Sequence, residues 1–102
     1  MRTTITGRHV AVDDALRSRA TEVLERLGGL TTRAVEATAV FDTVAGHPAA
    51  ELRLQCAGGP TLVASADGME HRSALDRAEQ RLRRQVTSFT SRARRVRRDS
   101  AD

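Results

Sequence analysis

Nine arginines fall within residues 77–98, at positions 77, 81, 83, 84, 92, 94, 95, 97 and 98, against a single acid, Glu79. A guanidinium is a planar, permanently charged fork that pairs bidentately with phosphate, so such a run is chemistry for a polyanion. Spacing decides whether the charges act together. Leu75, Ala78, Leu82, Val86, Phe89, Ala93 and Val96 recur at steps of three and four, the period of an amphipathic helix. On that wheel Arg77, Arg81, Arg84, Arg92 and Arg95 gather opposite Leu75, with Ser88 and Ser91 between them and Arg83 and Arg94 on one flank. Like charges four residues apart destabilise an isolated helix. An anionic partner explains a whole row of them better than stability does.

Other chemistry is sparse. His9, His47 and His71 lie in three separate segments with no metal-ligand spacing, and they read as surface histidines. Cys56 sits in the inward register of a strand and reads as a buried thiol. Neither Gly28-Gly29 nor Gly58-Gly59 follows a strand and opens a helix with a downstream lysine, so neither is a phosphate loop. Asp13 and Asp14 diverge by about 100° on a helix and serve as a cap rather than an acid–base pair. The chain is therefore not expected to be an enzyme, and no cofactor, metal or small-molecule substrate is expected.

The whole chain carries 17 basic and 13 acidic residues over 102 positions, a net charge of +4. Every basic residue is arginine. Residues 1–76 hold eight arginines and ten acids, so the excess is confined to the C-terminal segment, the electrostatic footprint expected of a polyanion binder. Hydrophobic residues reach 39% but aromatics only 2%, so the core must be built from Leu, Val and Ala. One cysteine forms no internal disulfide, no run of about 18 apolar residues is present, and the N-terminus lacks the apolar stretch of a signal peptide. A cytoplasmic location is expected, with no membrane partner.

The elements that must position the arginines follow from periodicity. Residues 2–6 form a short strand ending at Gly7. Asp13 caps a helix whose apolar stripe is Leu16, Ala20, Val23, Leu24 and Leu27, with Gly28-Gly29 as its stop. Residues 34–44 alternate, placing Val35, Ala37, Ala39 and Phe41 on one face. Gly46-His47-Pro48 breaks that strand, residues 50–56 alternate again, and Thr61 to Ala66 form the last strand. A long helix over about 69–96 follows. The expected fold is α+β, βαβββα: a four-stranded sheet with two helices packed on one face, similar in element order to a double-stranded-RNA-binding module. Residues 1–98 make one domain and 99–102 a disordered tail.

The residues in this order also resemble a family. Ile5-Thr6-Gly7, Val10 to Arg17 and Leu24 to Leu27 look like the first strand and helix of the short ribosome hibernation factors. These are hibernation promoting factor and the ribosome-associated inhibitor, also called ribosomal subunit interface proteins. Gly58-Gly59 with Val63-Ala64-Ser65-Ala66-Asp67-Gly68 resembles the family's final hairpin. Ala74-Leu75-Asp76 and Leu82, Arg84, Gln85 stand where the family has Ala-Ile-Asp and Leu-x-Arg-Gln. The resemblance covers nearly the whole chain. It departs at Glu70-His71-Arg72, where the family has Asp-Met-Tyr, and at Val23, where a basic residue is usual. The 102 residues hold no counterpart of the second domain with which long members pair ribosomes.

The resemblance implies binding to small-subunit ribosomal RNA in the decoding channel, overlapping tRNA and mRNA positions and holding ribosomes inactive under stress. Carried over by position, Arg17, Arg26, Arg81, Arg84, Arg92 and Arg94 are the RNA-binding residues, and Arg77 and Arg95 join them from the helical wheel. Off the ribosome a monomer is expected. Two other readings stand beside this one: a general structured-RNA binder, and a protein-interaction module whose basic helix docks on an acidic partner.

Overall fold

The structure, a computed structural model, describes residues 1–100, with side chains described through Arg92. Six elements follow one another: β1 (Arg2–Gly7), α1 (Asp14–Gly28), β2 (Ala34–Val44), β3 (His47–Cys56), β4 (Thr61–Asp67) and α2 (His71–Ser100). The sheet order is β1-β2-β3-β4. β1 runs parallel to β2, and β2, β3 and β4 form an antiparallel meander. The parallel pair is what α1 makes possible, since parallel neighbours need a crossover rather than a hairpin. The tail expected at 99–102 falls outside the residues whose side chains are described.

The core fills the space between the helices and one sheet face. On the sheet side, cross-strand rows alternate large and small: Gly7 beside Phe41 and Ala50, Ile5 beside Ala39, Leu52 and Ala64. The alanines let the helices approach, and α1 and α2 supply bulk through Val23, Leu24, Leu27, Leu75, Leu82 and Val86, all fully buried. Each such burial is worth about 1.5–3 kcal/mol, so an aromatic-poor core closes by interdigitation rather than by large rings. No charged or polar residue is buried in it among the described residues.

Asp13 caps α1 as expected, its Oδ1 accepting from the Leu16 amide at 2.8 Å. Gly29 closes the other end with its N–H on the Glu25 carbonyl at 2.9 Å, in right-handed rather than left-handed backbone. At the start of α2 the Ser73 hydroxyl donates to the Glu70 carbonyl at 2.9 Å and accepts from the Glu70 amide. Gly68 is required there, because a Cβ would lie 2.6 Å from Ser73 Oγ and 2.9 Å from the Ala74 nitrogen.

Three expectations need correction. Val35 does not share the inward face of β2: it is 47% exposed, because the register shifts between Ala34 and Glu36 and turns its side chain outward. The turn after β2 is tighter than expected. Val44 pairs with His47 and Thr43 with Pro48, so β3 begins at His47 and the turn is Ala45-Gly46 alone. Both turn residues have positive φ, 52° and 80°, the two-residue geometry whose twist suits a hairpin. Pro48 is tolerated because it lies beyond the last β3–β4 pair, Ala49 with Asp67, where its missing N–H has no strand to reach. The third correction is His71, which is half-buried: its ring meets Phe41 edge-on at 5.9 Å and its Nε2 lies 2.9 Å from the Asp42 carbonyl. Among the described residues no helix is long and apolar enough to cross a membrane.

Candidate nucleic-acid interface

With one face of α2 on the sheet, its other residues divide between two seams and solvent. On one side lies α1; on the other lies β4, the last strand of the sheet. The arginines of the expected row distribute over all three environments.

Toward β4, three side chains spaced by four residues meet three strand carbonyls spaced by two. Arg77 Nη1 donates to the Asp67 carbonyl at 3.3 Å, Arg81 Nη1 to Ser65 at 2.6 Å, and Gln85 Nε2 to Val63 at 2.7 Å. Four helical residues rise about 6 Å and two strand residues about 6.7 Å, close enough for long side chains to stay in step. The ladder runs in opposite directions on the two elements, from 77 to 85 while the accepted carbonyls go from 67 to 63. It also occupies the acceptors on which an added strand would pair. Gln85, which the resemblance names only as part of a motif, belongs with the two arginines, and the four-residue spacing of positions 77, 81 and 85 is the sequence signal that groups the three.

Toward α1, the acids of α2 hold arginines. Arg26 Nε lies 3.1 Å from Glu79 Oε2 and its Nη2 lies 3.2 Å from Oε1, a bidentate pair, and Arg83 Nη2 reaches the same carboxylate at 3.8 Å. Arg19 Nη2 contacts Asp76 Oδ1 at 3.2 Å. The hydrogen bond to Glu79, then its charge, raises the already high pKa of Arg26, so this guanidinium is charged and engaged. Glu79, the one acid of the basic segment, is thus turned into the helix–helix seam, its side chain only 13% exposed. Among the described residues the outward row is left without a carboxylate partner.

Arg17 on α1 and Arg84 and Arg92 on α2 are exposed. Among the described residues, no carboxylate lies within ion-pair distance of Arg17, Arg77, Arg81 or Arg84. Arg94 and Arg95 lie outside the residues whose side chains are described. Of the eight expected RNA-binding residues, the structure therefore brings Arg77 and Arg81 together along one seam, places Arg84 and Arg92 on the same helix outside it, and sets Arg26 apart in the other seam.

The opposite face of the sheet is of mixed charge. By register, Glu36, Asp42, Glu51 and Asp67 share it with Arg2 and Arg53, Arg8 lies against it beside Asp42 and Glu51, and Arg53 is paired with Glu51 at 2.8 Å. No phenylalanine lies there, and the chain has no tyrosine or tryptophan. Phe41 is fully buried and Phe89 half-buried, with the Arg33 guanidinium 5.8 Å from its ring centre. Bases therefore find no stacking platform, and the arrangement suits backbone and shape rather than sequence.

Elsewhere the chemistry is structural. Cys56 is buried, and that burial pushes its thiol pKa up, opposed only in part by the charge of Arg33. A cleft of about 330 Å³ between the first turns of the helices is lined by Asp13, Arg19, Glu70, His71 and Arg72 among others, a mixture of signs rather than a built anion site. Among the described residues no group of three or more His, Cys, Asp or Glu side chains is placed to hold a metal ion.

Residues 3–94 match the model of the family described as sigma 54 modulation protein / S30EA ribosomal protein. Among solved structures, the chain is similar to the N-terminal domain of Protein Y from Thermus thermophilus, with 27% identity and a TM-score of 0.76 over 87% of this chain and 99% of that one. It is also similar to a ribosomal subunit interface protein from Coxiella burnetii, with 19% identity and a TM-score of 0.80 over 89% of this chain and 99% of the other. The second likeness is one of fold. No curated protein matches the chain.

Proposed function

The chain belongs to the sigma 54 modulation protein / S30EA ribosomal protein family, and from that premise we propose that it is a cytoplasmic, ribosome-associated factor that silences translation. It binds small-subunit ribosomal RNA in the decoding channel with the helix side of the domain and fills space that tRNA and mRNA would occupy, holding ribosomes inactive under stress. The observation that carries this reading is the segregation of charge. Arg77, Arg81 and Arg84 of α2 have no carboxylate partner among the described residues and Glu79 is withdrawn into the α1 seam, while on the far side of the sheet Glu36, Asp42, Glu51 and Asp67 offset Arg2, Arg8 and Arg53. A helix row without carboxylate partners presents that side of α2 to a polyanion. Arg17, Arg77, Arg81, Arg84 and Arg92 are the contacts this reading favours, with Arg94 and Arg95 continuing the row and Arg26 available only on leaving Glu79.

Co-sedimentation with whole ribosomes and with separated subunits at near-physiological salt tests it. Co-migration with the small subunit and the whole ribosome, saturating near one copy, is the expected result. Absence from ribosomes with retention on naked structured RNA would replace it with a general RNA binder. Binding that survives nuclease treatment would replace it with docking on a protein.

A further inference from the structure

An edge strand normally offers alternating donors and acceptors, but the outer edge of β4 has been made one-sided. In an antiparallel strand the N–H and C=O of one residue point the same way, and alternate residues face alternate neighbours. The carbonyls of Val63, Ser65 and Asp67 accept from α2, so these three residues turn away from β3 and their N–H groups share that outer edge. Arg77, Arg81 and Gln85 each occupy one of these acceptors; the strand N–H groups and the remaining guanidinium N–H groups are donors, with Gln85 Oε1 the side-chain acceptor at one end. Each guanidinium has five N–H groups, and the bond to the strand fixes its plane while leaving the others available. The outcome is a strip of donors in which two positive charges are held in place by the sheet edge.

We propose that this α2–β4 seam is the strip along which an RNA phosphate backbone lies, with Arg77 and Arg81 as direct contacts and with the Ser65 and Asp67 carbonyls and Gln85 as positioning groups. The inference deepens the RNA-binding reading and rests on it. It distinguishes the seam from the solvent-facing middle of α2, where Arg84 is exposed and, among the described residues, no strand carbonyl fixes its plane.

Lysine substitution separates the two roles, because it keeps the charge and removes the fork that spans carbonyl and phosphate. Arg81→Lys is expected to weaken binding to purified small ribosomal subunits about tenfold, whereas Arg84→Lys changes it by about twofold or less. Thermal melts of both variants establish that each is folded. Amide hydrogen exchange of the wild-type protein gives a second readout independent of any variant: exchange over residues 61–68 is expected to slow on adding small subunits. Equal losses in the two lysine variants, or unchanged exchange over 61–68 while other segments become protected, would overturn the seam and leave the RNA-binding reading in place. Failure of the wild-type protein to bind small subunits would overturn both.

Discussion

Arg26 of α1 and Glu79 of α2, 53 residues apart in the chain, meet in a bidentate pair with contacts of 3.1 and 3.2 Å. The carboxylate occupies the fork that a phosphate would take. Glu79 thereby does two things: it clips α1 to α2, and it holds in reserve an arginine that the resemblance places against RNA. It also leaves the outward arginine row free of its only resident acid.

Glu79→Gln should release Arg26. The variant is expected to melt at a slightly lower temperature, since a charged clip becomes a neutral one, and to bind small ribosomal subunits more tightly. The slope of log K against log salt should steepen by just under one unit if the freed arginine reaches one more phosphate. An unchanged slope would mean that Arg26 serves α1–α2 packing alone.

For the wild-type protein, contact with about five phosphates predicts a slope of roughly −4. Arg17→Ala and Arg84→Ala each remove an exposed guanidinium with no ion-pair partner among the described residues. Each should flatten the slope by just under one unit with little change in the urea midpoint. A slope near zero in the wild-type protein would remove the electrostatic part of the mechanism.

The β2–β3 turn holds Ala45 at φ 52°, in the left-handed region that a Cβ disfavours. Ala45→Gly, in a two-residue turn already followed by Gly46, relieves that conformation. It should raise unfolding stability by about 0.5–1 kcal/mol, after the greater freedom of glycine in the unfolded chain is set against the relief. Urea denaturation reads this as a higher midpoint at constant m.

Alkaline stability should report on Cys56 with unusual clarity. The chain has no lysine and no tyrosine, so between about pH 8 and 10.5 only this thiol and the terminal amine titrate. Burial raises the thiol pKa in the fold, so above about 8.5 the unfolded chain has lost a proton that the folded one keeps. Stability is therefore intact below that pH and falls as pH rises, by at most about 1.4 kcal/mol per unit until the folded thiol itself ionises. Urea midpoints measured from pH 7 to 10 should show the decline in the wild-type protein and lose most of it in Cys56→Ala.

Most of the architecture is legible in the chain itself. The step of three and four through Leu75, Leu82 and Val86 specifies a buried helix face, and the alternation through Ala37, Ala39 and Phe41 a buried strand face, because side-chain direction follows from backbone period alone. The same arithmetic places Arg77, Arg81, Arg84, Arg92 and Arg95 on the side of α2 opposite Leu75, and Asp13 announces its cap by type and position. Period says which way a side chain points but not what stands there. That β1 lies parallel to β2, that Val35 is turned out by a register shift, and that Pro48 sits past the end of the β3–β4 pairing are decided by how strands align, which no local window contains. The division of the arginine row is decided in the same way. Arg81 and Arg83 are two residues apart, yet one is tied to the Ser65 carbonyl of β4 and the other leans toward Glu79 in the α1 seam. Helical geometry sets them about 200° apart, and only the packing of α2 between α1 and the sheet edge determines that one direction meets a strand and the other a carboxylate.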